Sequence, residues 1–377
     1  MTSAYIHIPF CEQICFYCDF NKVFLQNQPV DEYITALLKE AKMQFEADPC
    51  DKTETLYIGG GTPTSLTAKQ LDCLCAGLRE IFPYETGEFT VEVNPGDLTQ
   101  EKLSVLETYG VNRLSLGVQT FDDELLKKIG RKHTAKDVLA TLRLIEKYSH
   151  IDNITIDLMY ALPRQTKESW KKTIEQTLSL NLPHVAMYSL ILENKTRFAN
   201  LARQGKLHRP SEEDEIWMFE YAKDALANAG LLQYELSNFS RPGFESQHNL
   251  MYWNNDHYYG VGAGASGYLK DVRFTNKGPI QHYLSDLFHQ QRPLLFTETL
   301  TTKEQIEEQL FLGLRKIKGV SRQAFQERFN CSIDEIYAEV IEQLVLKGLI
   351  TDDGKYIALT NEGILLGNEV FQSFLLD

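Results

Sequence analysis

The segment that decides the fold runs Tyr5-Ile6-His7-Ile8-Pro9-Phe10-Cys11-Glu12-Gln13-Ile14-Cys15-Phe16-Tyr17-Cys18. It places a β-like run, residues 4–8, directly before a loop with the spacing Cys-x3-Cys-x2-Cys. In a reducing compartment, grouped thiols more often bind metal or take part in catalysis than form disulfides. The loop is therefore predicted to be a metal site. We expect the four remaining, scattered cysteines to be buried or incidental thiols: Cys50, Cys73, Cys75 and Cys331.

From residue 4 to about residue 192, β-rich runs alternate with helical patterns. The predicted strands are residues 4–8, 55–58, 89–93, 112–118, 153–160 and 184–192. The predicted helices lie near residues 31–46, 67–81, 99–109, 134–149 and 166–180. Because successive strand and helix pairs need right-handed crossovers, this order predicts a parallel sheet, either doubly wound or curled into a barrel. We favour an α/β fold with a partial, TIM-like (β/α)6 barrel.

Beyond these strands the sequence pattern changes twice. A sixth helix near 212–229 and an edge strand at 233–236 precede residues 237–280, which have little periodicity and are predicted to form a long functional loop. From about residue 297, three helical patterns precede a small hairpin around Asp352-Asp353-Gly354, which is typical of a winged-helix-like α+β module. The predicted domains are a barrel core, an aromatic and Gly-rich extension, and a C-terminal module, at 1–236, 237–296 and 297–377.

Composition narrows the classes of partner. The 377 residues are 43% hydrophobic and 24% charged, which is typical of a globular protein with a large core. The net charge of −14 disfavours phosphate backbones and anionic lipid as partners. Residues 297–377 hold 14 acidic and 8 basic residues, so we expect structural or protein contacts there, not DNA binding. The N-terminus lacks the features of a secretory signal, and no apolar run could cross a bilayer, which predicts a cytoplasmic protein.

Three thiolates at this spacing suit a 4Fe–4S cluster, because a cubane with four irons is left with one iron that has no protein ligand. That iron can be chelated by the amino and carboxylate groups of S-adenosylmethionine (SAM), and electron transfer would then release a 5′-deoxyadenosyl radical. The alternatives are a zinc site completed by a histidine such as His7, or three unrelated buried thiols.

Polar residues at the ends of the later strands support the cluster interpretation. Strand ends of a β/α barrel open on one face, where active sites of such folds lie. Glycines at the second strand allow a ligand close approach to the backbone. With the cysteine loop after the first strand, polar groups converge from five successive units, and the candidates for SAM contacts on the second to fifth units are Gly59, Gly60, Gly61, Thr62, Glu92, Gln119, Arg131 and Asp157. Taken singly, each carboxylate or amide would fit a solvated strand end, but the set converges beside the thiols.

Several motifs together resemble the family of oxygen-independent coproporphyrinogen III oxidases and their relatives, over nearly the whole chain. They are the segment from Tyr5 to Cys18, the Gly59-Gly60-Gly61-Thr62-Pro63-Thr64 turn, Glu92-Val93-Asn94-Pro95, Leu116-Gly117-Val118-Gln119 and Ile156-Asp157-Leu158-Met159-Tyr160-Ala161-Leu162-Pro163. The resemblance implies that Tyr5 and the glycine turn contact the methionine part of SAM. It also implies that the carboxylates of Glu92 and Asp157 bind the ribose hydroxyls and that Arg131 binds the SAM carboxylate.

The chain departs from the oxidase pattern at two points. The oxidases are expected to have a long extension before the Tyr-x-His-x-Pro segment and a further cysteine two positions after the third. Here four residues precede Tyr5, and Phe20 occupies the place of that cysteine. Oxidative decarboxylation of coproporphyrinogen III is therefore the alternative function, not the leading one.

The segment His248-Asn249-Leu250-Met251-Tyr252-Trp253 resembles the His-Asn-x-x-Tyr-Trp signature of the HemW branch of this family, whose members are regarded as haem chaperones. In that interpretation His248 ligates the haem iron, while Tyr252 and Trp253 pack on the porphyrin. Met251 and His257 are weaker candidate ligands. The alternative is a His-Asn loop hydrogen-bonded to the barrel rim, with two aromatic residues packed beneath it.

The leading hypothesis is a radical-SAM-type haem chaperone that holds a 4Fe–4S cluster, SAM and haem and transfers haem to acceptor proteins. The resemblance further implies respiratory acceptors, a flavodoxin or ferredoxin as electron donor, a homodimer, and peripheral membrane contact during haem delivery. A winged-helix regulator with a metal sensor is a third hypothesis that depends only on the C-terminal module. No nucleic-acid partner is expected.

Overall fold

A computed structural model of the chain describes residues 2–376, so Met1 and Asp377, the outer limits of the first and third predicted domains, lie outside it. The strands are β1 (Thr2–Ile8), β2 (Phe10–Cys11), β3 (Val23–Phe24), β4 (Thr55–Gly60), β5 (Glu88–Val93), β6 (Arg113–Gln119), β7 (Asn153–Tyr160), β8 (His184–Ser189), β9 (Leu232–Glu235), β10 (Asn238–Ser240), β11 (His257–Val261), β12 (Ser266–Leu269), β13 (Val272–Asn276), β14 (Leu294–Thr299), β15 (Val320–Ser321), β16 (Ile350–Asp352) and β17 (Tyr356–Leu359).

The helices match the predicted periodic segments and add short ones between them. They are α1 (Val30–Ala47), α2 (Ala68–Ile81), α3 (Gln100–Thr108), α4 (Asp123–Ile129), α5 (Ala135–Tyr148), α6 (Lys167–Ser179), α7 (Arg197–Arg203), α8 (Glu212–Asn228), α9 (Gln247–Trp253), α10 (Ile280–Phe288), α11 (Thr302–Gly313), α12 (Arg322–Phe329), α13 (Asp334–Leu346), α14 (Asn361–Leu365) and α15 (Gly367–Gln372). Thr67 begins α2 in a reciprocal capping box with Gln70, because each side chain accepts the other's backbone N–H.

The six predicted strands, β1 and β4 to β8, are neighbours in one parallel sheet, in that order. This arrangement confirms the partial barrel. Its strands bury alternate side chains in two directions: Leu56 and Ile58 of β4 belong to the core under the helices, while Tyr57 lines a cavity inside the barrel. The carboxyl ends of all six strands therefore open on one face.

The prediction of a long loop at 237–280 is wrong. This segment contains α9 and four short strands, of which β11 lies parallel to β1 and extends the sheet beyond the barrel. Antiparallel strands β12, β13 and β14 follow on that side, and β10 and β9 add to β8 at the other. The strands were missed because each has only three to five residues and several include glycine, so period-two alternation has no length over which to appear.

The C-terminal module has its own core, whose fully buried members include Leu310, Ile357 and Phe374. Helices α11 to α13 precede a three-stranded antiparallel sheet in the order β15, β17, β16, which confirms the winged-helix-like arrangement. Two backbone hydrogen bonds of 3.0 Å tie the module to the barrel: the Leu236 N–H donates to the Arg315 carbonyl, and the Ile317 N–H donates to the Tyr234 carbonyl. No helix among residues 2–376 is both long enough and apolar enough to span a membrane.

Candidate cluster and SAM site

A cavity of about 420 Å³ opens between the cysteine loop and the carboxyl ends of the parallel strands. Cys11, Cys15 and Cys18 all line it. Seven of the nine residues predicted to contact SAM line it too: Gly60, Gly61, Thr62, Glu92, Gln119, Arg131 and Asp157. The structure thus brings together side chains that are up to 146 positions apart in sequence, from Cys11 to Asp157.

A backbone and a side-chain hydrogen bond hold the cysteine loop across the mouth of the barrel. The N–H of Phe16 donates to the carbonyl of Ile129 at 3.0 Å, and the Gln13 amide donates to the Gly130 carbonyl at 2.7 Å. Cys11 is buried, and burial raises the pKa of its thiol to about 11. A thiolate at this position therefore needs a compensating cation, which the irons of a cluster would supply.

His7 is not available to complete a zinc site with the three thiols. Its Nδ1 lies 3.0 Å from the Tyr5 hydroxyl, and its Nε2 lies 2.7 Å from the backbone carbonyl of Asn21. Among residues 2–376, no three His, Cys, Asp or Glu side chains are grouped around the position of a single metal ion. A cubane distributes its cysteine ligands over separate irons, so thiols along one cavity wall fit a cluster.

The glycine turn brings the backbone to the edge of the cavity. Gly60 has φ of +115°, and a Cβ there would lie 2.5 Å from the His7 ring, so glycine alone fits. Its N–H donates to Glu92 Oε2 at 3.0 Å. The other two predicted SAM residues, Tyr5 and Gly59, contact residues around the cavity and are not among those that line it. Tyr5 hydrogen-bonds His7, and Gly59 lies against the Glu92 carboxylate.

Two carboxylates face the cavity from β5 and β7, the strands on either side of β6. The Tyr57 hydroxyl donates to Glu92 Oε1 at 2.9 Å, and the Ser115 hydroxyl lies 3.0 Å from both oxygens of Asp157. Burial raises the pKa of Glu92, and burial together with the Glu92 charge raises the pKa of Asp157 to about 7. A ligand that brings hydroxyl or ammonium donors and a positive charge would favour the ionised forms, as the ribose and sulfonium of SAM do.

Arg131 supplies a cation to the site. Its Nη1 donates to Asn94 Oδ1 at 2.7 Å, and a Cβ on Gly117 would lie 2.8 Å from its Nη2. Gln119 ends β6 in the left-handed region, with φ of 67°, beside an irregularity in the pairing with β7. A non-glycine residue in that region costs free energy, and residues held there are enriched at ligand and active sites. The donor set therefore fits the carboxylate end of SAM.

The predicted haem ligand lies inside the barrel. His248, on α9, is 1% exposed, with Nδ1 at 2.7 Å from the Thr55 hydroxyl and Nε2 at 3.0 Å from the Tyr252 hydroxyl. Its ring stacks on Tyr57 at 4.8 Å between centroids. Glu88 holds the start of this helix by accepting the backbone N–H groups of Gln247 and His248. Helix α9 thus closes the floor of the barrel. Asn249, which follows His248, lines the cavity.

In this conformation both ring nitrogens of His248, the proposed iron ligand, have hydrogen-bond partners, so neither is free to bind a haem iron without a rearrangement. The Arg315 guanidinium lies over the Trp253 ring, 4.5 Å from its centre. Of the weaker candidates, Met251 is buried beside Thr55, and His257 is partly exposed with Nε2 at 3.8 Å from Asp271. The arrangement matches the alternative of a His-Asn segment hydrogen-bonded to the barrel.

The chain matches two family models and has close relatives among known proteins. The Radical SAM superfamily model matches residues 5–177, and the HemN C-terminal domain model matches residues 300–366. Heme chaperone HemW of Lactococcus lactis is 50% identical over 377 residues, covering 100% of this chain and 98% of that protein. The HemW of Bacillus subtilis is 48% identical, with 100% and 99% covered. This chain belongs to the HemW family.

The fold of this HemW-family chain is close to that of coproporphyrinogen III oxidase (HemN) from Escherichia coli, described as a radical SAM enzyme. The TM-score is 0.86 at 25% identity, covering 99% of this chain and 90% of the other. The match covers both the barrel and the C-terminal module.

Sequence reasoning missed several groups that line the cavity of this HemW-family protein. They include Tyr57, Asn94, Arg113, Thr155, Tyr188 and Asn249. Most alternate with apolar residues along the strands, as Arg113, Ser115 and Gly117 do on β6. That alternation was a usable signal, because polar residues at every second position of a strand point to the same face. Asn249 gave no such signal, since its position depends on how α9 packs.

Proposed function

We propose that the protein is a haem chaperone that binds a 4Fe–4S cluster and SAM in the barrel cavity and transfers haem to acceptor proteins. The observation that carries this proposal is the convergence of Cys11, Cys15 and Cys18 with seven SAM candidates around one cavity, in a chain related over its full length to HemW proteins. Reduced, the cluster would supply one electron to SAM.

The residues of the chain divide the work of binding. The three thiolates hold the cluster, and Arg131 and the glycine turn bind the amino acid end of SAM. Glu92 and Asp157 accept hydrogen bonds from its polar groups, each oriented by a hydroxyl at about 3 Å, that of Tyr57 or Ser115. The cysteine loop lies across the cavity and limits the access of water.

Haem binding by His248, Tyr252 and Trp253 requires α9 to move. With both ring nitrogens engaged, His248 can take an iron only after the bond to Thr55 or to Tyr252 breaks. In this proposal α9 cannot close the floor of the barrel and bind haem through His248 at the same time. Binding should therefore be slow compared with the encounter of haem with a preformed site.

Haem titration of the cluster-loaded protein tests the proposal. The parent should bind haem with a shifted Soret band and release it to an apo-haem protein such as apomyoglobin. His248→Ala should bind haem more weakly, whereas His150→Ala, which changes a fully exposed histidine, should behave as the parent. If His248→Ala binds haem as tightly as the parent, His248 is not the ligand. If the parent does not bind haem, the chaperone proposal fails.

The second candidate is a coproporphyrinogen III dehydrogenase, favoured by the full-length fold match to HemN. Phe20, 59% exposed at the cavity wall, stands where the oxidases are expected to have a cysteine. Anaerobic incubation with coproporphyrinogen III, SAM and a reductant separates the two functions. Formation of protoporphyrinogen would replace the chaperone proposal with the enzymatic one.

A further inference from the structure

One surface segment has a charge opposite to that of the protein. In a chain with net charge −14, residues 195–209 contain five basic side chains and no Asp or Glu. All five are exposed: Lys195, Arg197, Arg203, Lys206 and Arg209. They lie on α7 and on the turns at its two ends. We call these five side chains the basic face.

The basic face adjoins the cysteine loop. The backbone N–H of Phe198 donates to the carbonyl of Phe16 at 3.0 Å, and the Arg197 guanidinium lies 3.9 Å from the centre of the Phe16 ring. Phe16 follows Cys15 directly and precedes Cys18 by two positions. A protein seated on the basic face would therefore be separated from the thiols by little more than one aromatic side chain.

Little of this charge is neutralised within the protein. Across residues 2–376, Lys195, Arg197 and Lys206 have no ion pair with a carboxylate, and Arg203 donates to asparagine side chains. Arg209 alone pairs with a carboxylate, that of Glu215, at 3.2 Å. The acidic groups nearest in sequence are Glu193, which lines the cavity, and the run that starts at Glu212.

We propose that the basic face docks an acidic electron-transfer protein that reduces the cluster. This inference rests on the cluster proposed above. In the step, one electron leaves the donor, which is oxidised, and enters the cluster, which passes from the 2+ to the 1+ state with no change in bonding. Complementary charge steers such encounters and raises their rate by about 10- to 1,000-fold at low salt.

The test compares two reductants of the anaerobically reconstituted protein. A reduced, acidic flavodoxin reports on docking, and dithionite, a small molecule that needs no docking surface, reports on the cluster itself. The variant is Lys195→Glu with Lys206→Glu, two exposed side chains that leave Arg197 on Phe16. The matched control reverses two exposed lysines elsewhere, Lys69 on α2 and Lys347 after α13.

The double variant should be reduced by flavodoxin about tenfold more slowly than the parent, while the control keeps the parent rate. The parent rate should fall as salt is raised from about 50 to about 200 mM. All three proteins should be reduced equally by dithionite. Equal flavodoxin rates would overturn the inference, and if vesicles of phosphatidylserine then bound the parent but not the variant, the face would be a lipid-binding surface. Failure of dithionite to reduce the parent would instead overturn the cluster proposal.

Discussion

Tyr57 contacts both the floor of the barrel, through its ring, and the SAM site, through its hydroxyl. The hydroxyl can be removed while the ring contact is kept. The ring stacks on His248 at 4.8 Å, and the hydroxyl donates to Glu92 Oε1 at 2.9 Å. Tyr57→Phe keeps the stacked ring and deletes only the donor. Glu92 then retains the Gly60 N–H on its other oxygen, so the carboxylate stays in place but is less well held.

The expected loss follows from that geometry. A hydrogen bond to a charged group contributes about 1.5 to 3 kcal/mol when it is shielded from water. Glu92 is partly open to the cavity, where water can replace the lost donor, so we expect about 1 kcal/mol, or roughly fivefold weaker SAM binding. The lost donor also raises the pKa of Glu92 further, which shifts SAM binding toward higher pH.

Isothermal titration of SAM into the cluster-loaded protein measures the effect. Tyr109→Phe is the matched control, because its hydroxyl donates to the Asp72 carboxylate at 2.9 Å on the protein surface, far from the cavity. Both variants should contain as much iron as the parent. The reasoning is refuted if Tyr57→Phe binds SAM within twofold of the parent, or if the control loses as much affinity.

Other predictions concern charge and packing. The pKa of Asp157 is raised to about 7, and its ionised form should bind SAM. The affinity for SAM should therefore rise by up to about tenfold from about pH 6 to about pH 8. Asp157→Asn should remove this pH dependence, whereas the control Asp152→Asn, which changes an exposed residue, should keep it. Glu40, fully buried, accepts four hydrogen bonds, so Glu40→Gln should lower the free energy of unfolding by about 3 kcal/mol. Exposed Glu46→Gln, on the same helix, should change it by less than about 0.5 kcal/mol in urea titrations. Gly60→Ala should abolish SAM binding, as measured by equilibrium dialysis; retention of parent affinity would show that the turn can relax.

The barrel was accessible to sequence reasoning because its signals are local. The strand at 153–160 has the predicted bounds, and α2 (Ala68–Ile81) begins one residue after the start of the helix predicted near 67–81 and ends where it was predicted to end. Periodicity and capping act over a few residues and are visible in one sequence. The helices α4, α7 and α9 were missed because each has seven residues, which is too short for a helical period to stand out.

The site was predictable where strand ends carry the chemistry, and not where packing does. The cysteine spacing and the carboxylates at the ends of β5 and β7 identified the cavity. The orientation of His248 could not be inferred, because it depends on contacts with Thr55 and Tyr57, over 190 positions earlier in the chain. A motif identifies which residues a segment contains, but the packing of α9 decides which atoms remain free to bind a ligand.

Metal analysis of the anaerobically reconstituted protein decides whether Cys11, Cys15 and Cys18 hold a 4Fe–4S cluster. We expect about four iron and four sulfide per chain, which are lost when Cys11, Cys15 or Cys18 is changed to serine and retained when Cys73 or Cys75 is changed. SAM should also alter the EPR signal of the reduced cluster, because SAM would occupy the iron that lacks a protein ligand. A colourless protein with one zinc per chain, or a cluster whose EPR signal does not change with SAM, would overturn the assignment of a SAM-binding cluster.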